Sequence, residues 1–279
     1  MDNSNVAVPK RILFLTPQVP YPPQQGTALR NCNLISQVAR HHRVALLTFG
    51  QPSPVEAVGP LADICHPLVV VAPPARTRRD RLMTLVTTRL PDMAARLACP
   101  AFEEALRCLL EQEHFHILQV EGIELARYAL QLAPLLRERS TALIFDDHNA
   151  EYALQQRAYE TDRRILRRWP AALYSALQSP RLRAFERSIC QLAQGVVAVS
   201  QRDRAALTAT LDELDHAELS VLVREYLLGG QLIDRAGMPH VISCFGRDGM
   251  AQVAIEEWMG ASPIYTRRTQ QLLGFGGDS

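Results

Sequence analysis

Six short apolar runs, all but the second followed by a longer amphipathic stretch, constrain this chain more than any other feature. They are RILFLT (11–16), VALLTF (44–49), LVVVA (68–72), ILQVE (117–121), ALIFD (142–146) and VVAVS (196–200). Each is nearly continuous in its apolar residues, the pattern of a strand buried on both faces. The spacing between and after them predicts helices over 27–40, 80–97, 101–113, 123–137, 150–161, 171–193 and 202–211. Strands alternating with helices imply right-handed crossovers, and so an α/β fold with one parallel sheet and helices on both faces. Such sheets carry their sites at the carboxyl ends of the strands.

Composition changes along the chain. Residues 1–211 hold 25 basic and 19 acidic residues, a net +6, whereas 212–279 hold 5 and 10, a net −5. The same tail holds nine of the fourteen glycines and two of the eighteen prolines. A joint change of charge and glycine content divides the chain into 1–211 and 212–279. In the tail, Leu219, Leu222, Val223, Leu227, Leu228 and Leu232 fall at helical spacing. The tail is therefore expected to be a small helical module. The net charge of +1 gives no general attraction for nucleic acid. No apolar run reaches the ~18 residues of a membrane span, and the start MDNSNVAVPK lacks the apolar core of a secretion signal. A cytoplasmic protein is expected. The six cysteines include no CxxC pair, so reduced thiols are expected rather than a metal or redox centre.

The candidate site residues follow the apolar runs. After the first run comes a Pro-rich loop, then Gly26 at a helix start and Arg30 one turn later. A glycine there lets backbone N–H groups meet an anion, or simply closes a proline-stiffened turn. The loop is not GxGxxG, so dinucleotide binding is not supported. After the fifth run comes Asp146-Asp147-His148-Asn149-Ala150-Glu151. Asn149 or Asp147 would cap the next helix, with Glu151 in its first turn. Adjacent Asp146 and Asp147 diverge from an extended backbone, unlike the paired carboxylates of glycoside hydrolysis. After the sixth run, Ser200 is a good helix cap with Asp203 at the third helical position. His114 and His116 alternate at a strand start, and no metal is expected there. No GxSxG elbow occurs.

Residues 157–187 contain eight arginines: Arg157, Arg163, Arg164, Arg167, Arg168, Arg181, Arg183 and Arg187. Leu166, Trp169, Leu173, Tyr174 and Leu177 interleave with them. This is the composition either of an amphipathic surface for anionic lipid headgroups or of a solvated helical face with ordinary core contacts.

Three stretches in order resemble family-four-like GT-B glycosyltransferases. They are RILFLTPQVPYPPQQGTALRNCNLISQVARHHRVALLTF, FDDHNAEYALQQRAY and QLAQGVVAVSQRDRAAL, together covering about 1–211. The resemblance implies a Rossmann-like acceptor-side domain, the amino-terminal half of a GT-B fold. It implies transfer from a nucleotide-sugar, as co-substrate and without a metal, to a saccharide or lipid-linked acceptor, with retention. It places His148 against the transferred sugar as the catalytic candidate and Gly26 near the donor phosphates, with Arg30 in the basic, substrate-binding position that follows that glycine. It assigns Asn149, Glu151, Ser200 and Asp203 to substrate binding. The family continues into a donor-binding half, to which 212–279 show no match. The competing expectations are a non-catalytic acceptor-binding or scaffold protein, or a truncated or fused transferase. If the acceptor is lipid-linked, peripheral contact with the inner face of a membrane is expected through 157–187.

Overall fold

A computed structural model describes residues 9–24, 26–51 and 58–211. Its strands are β1 (Arg11–Thr16), β2 (Arg43–Phe49), β3 (Cys65–Val71), β4 (Ile117–Glu121), β5 (Ala142–Asp147) and β6 (Gly195–Ala198). Its helices are α1 (Gly26–Val38), α2 (Leu61–Ile64), α3 (Arg78–Thr87), α4 (Asp92–Arg96), α5 (Pro100–Gln112), α6 (Ile123–Gln131), α7 (Ala133–Glu138), α8 (Glu151–Asp162), α9 (Trp169–Leu192) and α10 (Gln201–Thr208). The strands form one parallel sheet in the order β3-β2-β1-β4-β5-β6. This is the expected Rossmann-like α/β fold. The order reverses between β1 and β4, and a crevice opens outside the carboxyl ends of strands at such a switch point.

The continuous apolar runs are explained by helices on both faces. Leu13 and Leu15 of β1 join a large core with Phe102 and Leu106 of α5 and Tyr128 of α6. Ile12 and Phe14 of the same strand join a second core with Cys32, Ile35 and Val38 of α1. Burial of each such side chain contributes about 1.5–3 kcal/mol, which favours apolar residues on both faces of the strand from Ile12 to Leu15.

Prolines account for most differences from the expected elements. The helix expected over 80–97 is two, α3 and α4, with extended Pro91 between them as the cap residue of α4. Proline lacks the N–H that would continue the first helix. The helix expected over 123–137 likewise divides into α6 and α7, with Pro134 in the first turn of α7. The third strand starts at Cys65 rather than Leu68, taking in Pro67. It lies at the sheet edge, where a missing donor is tolerated. The expected helical module 212–279 lies outside the described residues.

Candidate functional site

The carboxyl ends of β1, β4 and β5 meet the first turn of α1. Parallel register sets Glu121, the last residue of β4, opposite Asp146 of β5. Arg30, four residues into α1, reaches across and forms a buried ion pair with Asp146. His148 follows β5 directly, and its Nε2 stands 3.1 Å from Glu121 Oε2. Gln119 donates to the other Glu121 oxygen at 2.8 Å. Glu121, Asp146 and Arg30 are buried, while the His148 side chain keeps 20% of its surface exposed.

Gly122 shapes the wall beside His148. Its φ is +87°, a conformation open to glycine, and its amide donates to the Asp146 carbonyl at 2.9 Å. A Cβ there would stand 2.9 Å from Glu124 Oε2 and 3.7 Å from His148 Nδ1. Glu124 is in turn ion-paired with Arg96.

The charges are unequally matched. Burial pushes the Glu121 carboxyl up, but the His148 hydrogen bond, the Arg30 charge and Gln119 outweigh it, and the net shift is downward. Glu121 is therefore the ionised partner, and it accepts the proton on His148 Nε2. In the neutral ring, a carboxylate on Nε2 selects the tautomer with its proton there, and Nδ1 is then an acceptor for a substrate hydroxyl. Asp146 is raised to about 6, chiefly by burial, with Arg30 opposing and Glu121 reinforcing. Two carboxylates against one guanidinium leave room for one more positive charge. Glu121, Asp146 and His148 also offer one ligand atom each within 4.8 Å of one another. This could hold a cation, although Arg30 already occupies one oxygen of Asp146. The resemblance implies no metal, and no local sequence pattern marks this trio.

The other expected residues lie on the same rim with different partners. Gly26 opens α1 with no atom within 4 Å of where its Cβ would be, so a ligand can approach its backbone. Asp146 and Asp147 diverge as expected: Asp146 meets Arg30, while buried Asp147 shares the field of Glu186, Glu151 and Asp203. The expected cap of α8 by Asn149 or Asp147 is a correction. Asp147 stays in β5, Asn149 is exposed, and the cap residue is Ala150 with no side-chain bond. Glu186 of α9 caps the helix instead, accepting the amides of Glu151 at 2.6 Å and Tyr152 at 3.3 Å. Glu151 is half-buried, and burial raises its carboxyl. Ser200 caps α10 by accepting the Asp203 amide at 3.1 Å, and its hydroxyl donates to Asp203. Asp203 also accepts the Ala150 amide at 3.2 Å. The polar atoms of Ser200 and Asp203 are thus engaged in holding α8 and α10.

Glu121 and Gly122 were missed by the sequence reading. The faint available signal was a carboxylate and a glycine ending an apolar run, in the position occupied by Asp146 and Asp147 one strand later. A cavity of about 450 Å³ lined by Leu136, Thr141, Leu143 and Gln194 lies at the amino end of β5. It is at the opposite end of the sheet from the polar cluster, so it does not contribute to this site.

The solved structures similar to this chain include two at low identity. One is UGT2 of Phytolacca americana, solved with UDP-2fluoro-glucose and pterostilbene. It is 12% identical with a TM-score of 0.38, over 70% of this chain and 49% of that one. The other is the N-terminal domain of trehalose-6-phosphate phosphatase from Candida albicans. It is 12% identical with a TM-score of 0.39, over 75% of this chain and 44% of that one. The match thus spans about half the length of those structures or less. No family model matches the chain, and no curated protein matches it.

Proposed function

We propose that this chain supplies the acceptor side of a sugar transfer from a nucleotide-sugar to a saccharide or lipid-linked acceptor. The observation that carries the reading is the His148–Glu121 pair, set beside Arg30–Asp146 at the switch point of the sheet. It joins the three sequence stretches that resemble GT-B transferases, since two of them supply Arg30 and His148.

In the retaining reaction implied by the resemblance, the bond from the anomeric carbon to the leaving phosphate oxygen breaks. A bond from the acceptor oxygen to the anomeric carbon forms on the same face, and the acceptor proton passes to the departing phosphate. No side chain has to become a nucleophile, so catalysis rests on preorganised charges and donors. His148, held by Glu121, accepts a hydrogen bond at Nδ1 from a hydroxyl of the sugar. The open backbone at Gly26 and the amino end of α1 face the phosphates, where helix amides favour an anion. Glu121 acts as a positioning residue.

One observation favours a second reading. The described residues hold one six-stranded sheet, hence one wall of a crevice that two walls close in the GT-B arrangement. An acceptor-binding protein without transfer activity fits that. The test is calorimetry of the full chain with UDP-glucose and GDP-mannose, followed by nucleotide release in the presence of saccharide and lipid-linked acceptors. Acceptor-dependent release that falls about 10²-fold in His148→Ala, with an unchanged melting temperature, supports transfer. Release unchanged in His148→Ala removes His148 from the reaction. Acceptor binding without nucleotide-sugar binding supports the second reading.

A further inference from the structure

We propose that α3, the turn between α8 and α9 and the first half of α9 form a docking surface for an anionic lipid bilayer. The inference goes beyond sugar transfer and does not depend on it.

The large apolar side chains that stand exposed among the described residues fall in two stretches, 83–90 and 165–177. Leu166 is 82% exposed and Val86 75%. Trp169, Leu173 and Leu177 are spaced by four residues, which sets them on one side of α9, and Leu166 lies in the 3-10 turn just before it.

The two stretches form one surface. Arg81 of α3 donates to the Tyr174 hydroxyl at 3.4 Å and lies 5.9 Å over its ring. Arg181 of α9 donates to the Leu85 carbonyl at 2.9 Å. The Tyr174 hydroxyl donates to Asp92, at the start of α4, at 2.9 Å. Tyr174 lies between Leu173 and Leu177 on α9, so the seam between α3 and α9 runs alongside both apolar stretches.

Charge identifies the occupant. No acidic residue occurs between Asp162 and Glu186, and Arg163, Arg164, Arg167 and Arg168 flank Ile165, Leu166 and Trp169. In 75–91 the one acid is Asp80, which closes the Thr77 capping box. Apolar side chains set singly among arginines suit a bilayer interface. The rings and aliphatic groups enter the acyl boundary while guanidinium groups reach up to phosphates.

Position supports the same reading. Glu186 meets the first residues of α8 at the carboxyl end of β5. The part of α9 before it therefore extends beyond the carboxyl ends of the strands, by about 25 Å to Trp169 at 1.5 Å per residue. The apolar surface thus overhangs the end of the sheet that holds the His148 crevice.

The test uses the full chain with vesicles of phosphatidylcholine alone and of phosphatidylcholine mixed with phosphatidylglycerol. Sedimentation with the mixed vesicles, weakened by salt, is expected, with none on phosphatidylcholine alone. Leu173→Ser with Leu177→Ser should weaken partitioning by tenfold or more, and each of Arg163→Gln, Arg164→Gln and Arg167→Gln by about fivefold. These side chains are exposed, so melting temperatures should match the parent. In a Trp258→Phe background, Trp169 emission should shift to the blue on the mixed vesicles. No binding to mixed vesicles, or binding unchanged in both sets of variants, overturns the proposal. So does a dimer, detected by sedimentation equilibrium, that the serine pair dissolves while vesicle binding is absent.

Discussion

Arg30 and Asp146 show how a residue can serve a site and hold the fold at once. Both are buried, and their pairing ties α1 to β5 across β4. Asp146→Asn leaves a guanidinium in the interior without its carboxylate, which is expected to cost about 3–5 kcal/mol. The double variant Arg30→Met with Asp146→Leu replaces both charges by apolar groups and should recover at least half of that loss. Urea denaturation of Arg30→Met, of Asp146→Leu and of the double variant measures the coupling. A double variant as unstable as the sum of the singles would show that the pair contributes nothing as a pair. Arg30 and His148 were legible from their places after apolar runs. The partners that give them their chemistry were not. Glu121 meets His148 because parallel register sets β4 beside β5, a long-range pairing that no local pattern encodes.

At the scale of elements, β1 and β4 coincide with their apolar runs because unbroken burial on two faces leaves few alternative boundaries. Helix ends were less legible, because a cap can come from a distant segment. α8 is the clearest case, since its first amides are taken by Glu186 from the last third of α9. Burial raises Glu186 to about 8, with Glu151 and Asp203 adding to it against the two amides. Asp147 is held up by burial and then by Glu186, Glu151, Asp146 and Asp203, and the Cys190 thiol packed nearby is raised by burial too. A carboxyl whose pKa is higher folded than unfolded binds its proton more tightly in the native state. Stability is therefore fully present below the unfolded value near 4.5 and is lost as pH rises toward 8. A loss on the order of 3 kcal/mol between pH 5 and pH 8 is expected in urea midpoints. Glu186→Gln, which cannot ionise and keeps one acceptor for α8, should flatten that slope. An equally steep slope in the variant would place the titration on Asp147 or elsewhere.

At the scale of the molecule, sidedness organises everything proposed. Right-handed crossovers in a parallel sheet send all the loops that follow strands to one end. The His148–Glu121 pair, the open backbone at Gly26 and the Arg30–Asp146 link all lie there. The overhanging first half of α9 is joined to α3 at the same end. A chain bound to a bilayer by that surface holds its crevice toward the lipid, where a lipid-linked acceptor would be met. Hydrogen exchange of the full chain reads this orientation directly. Phosphatidylglycerol-containing vesicles should slow exchange at 88–91 and 163–168, where chain turns beside the apolar stretches, and in the 17–24 loop above the crevice. The turns at the other end of the sheet, 39–42, 113–116, 139–141 and 193–194, should exchange at their free rates. Protection at those amino-end turns, or uniform slowing over the whole chain, would mean that the protein meets lipid by another face. The crevice would then open to solvent, and a soluble saccharide would be the better acceptor to test.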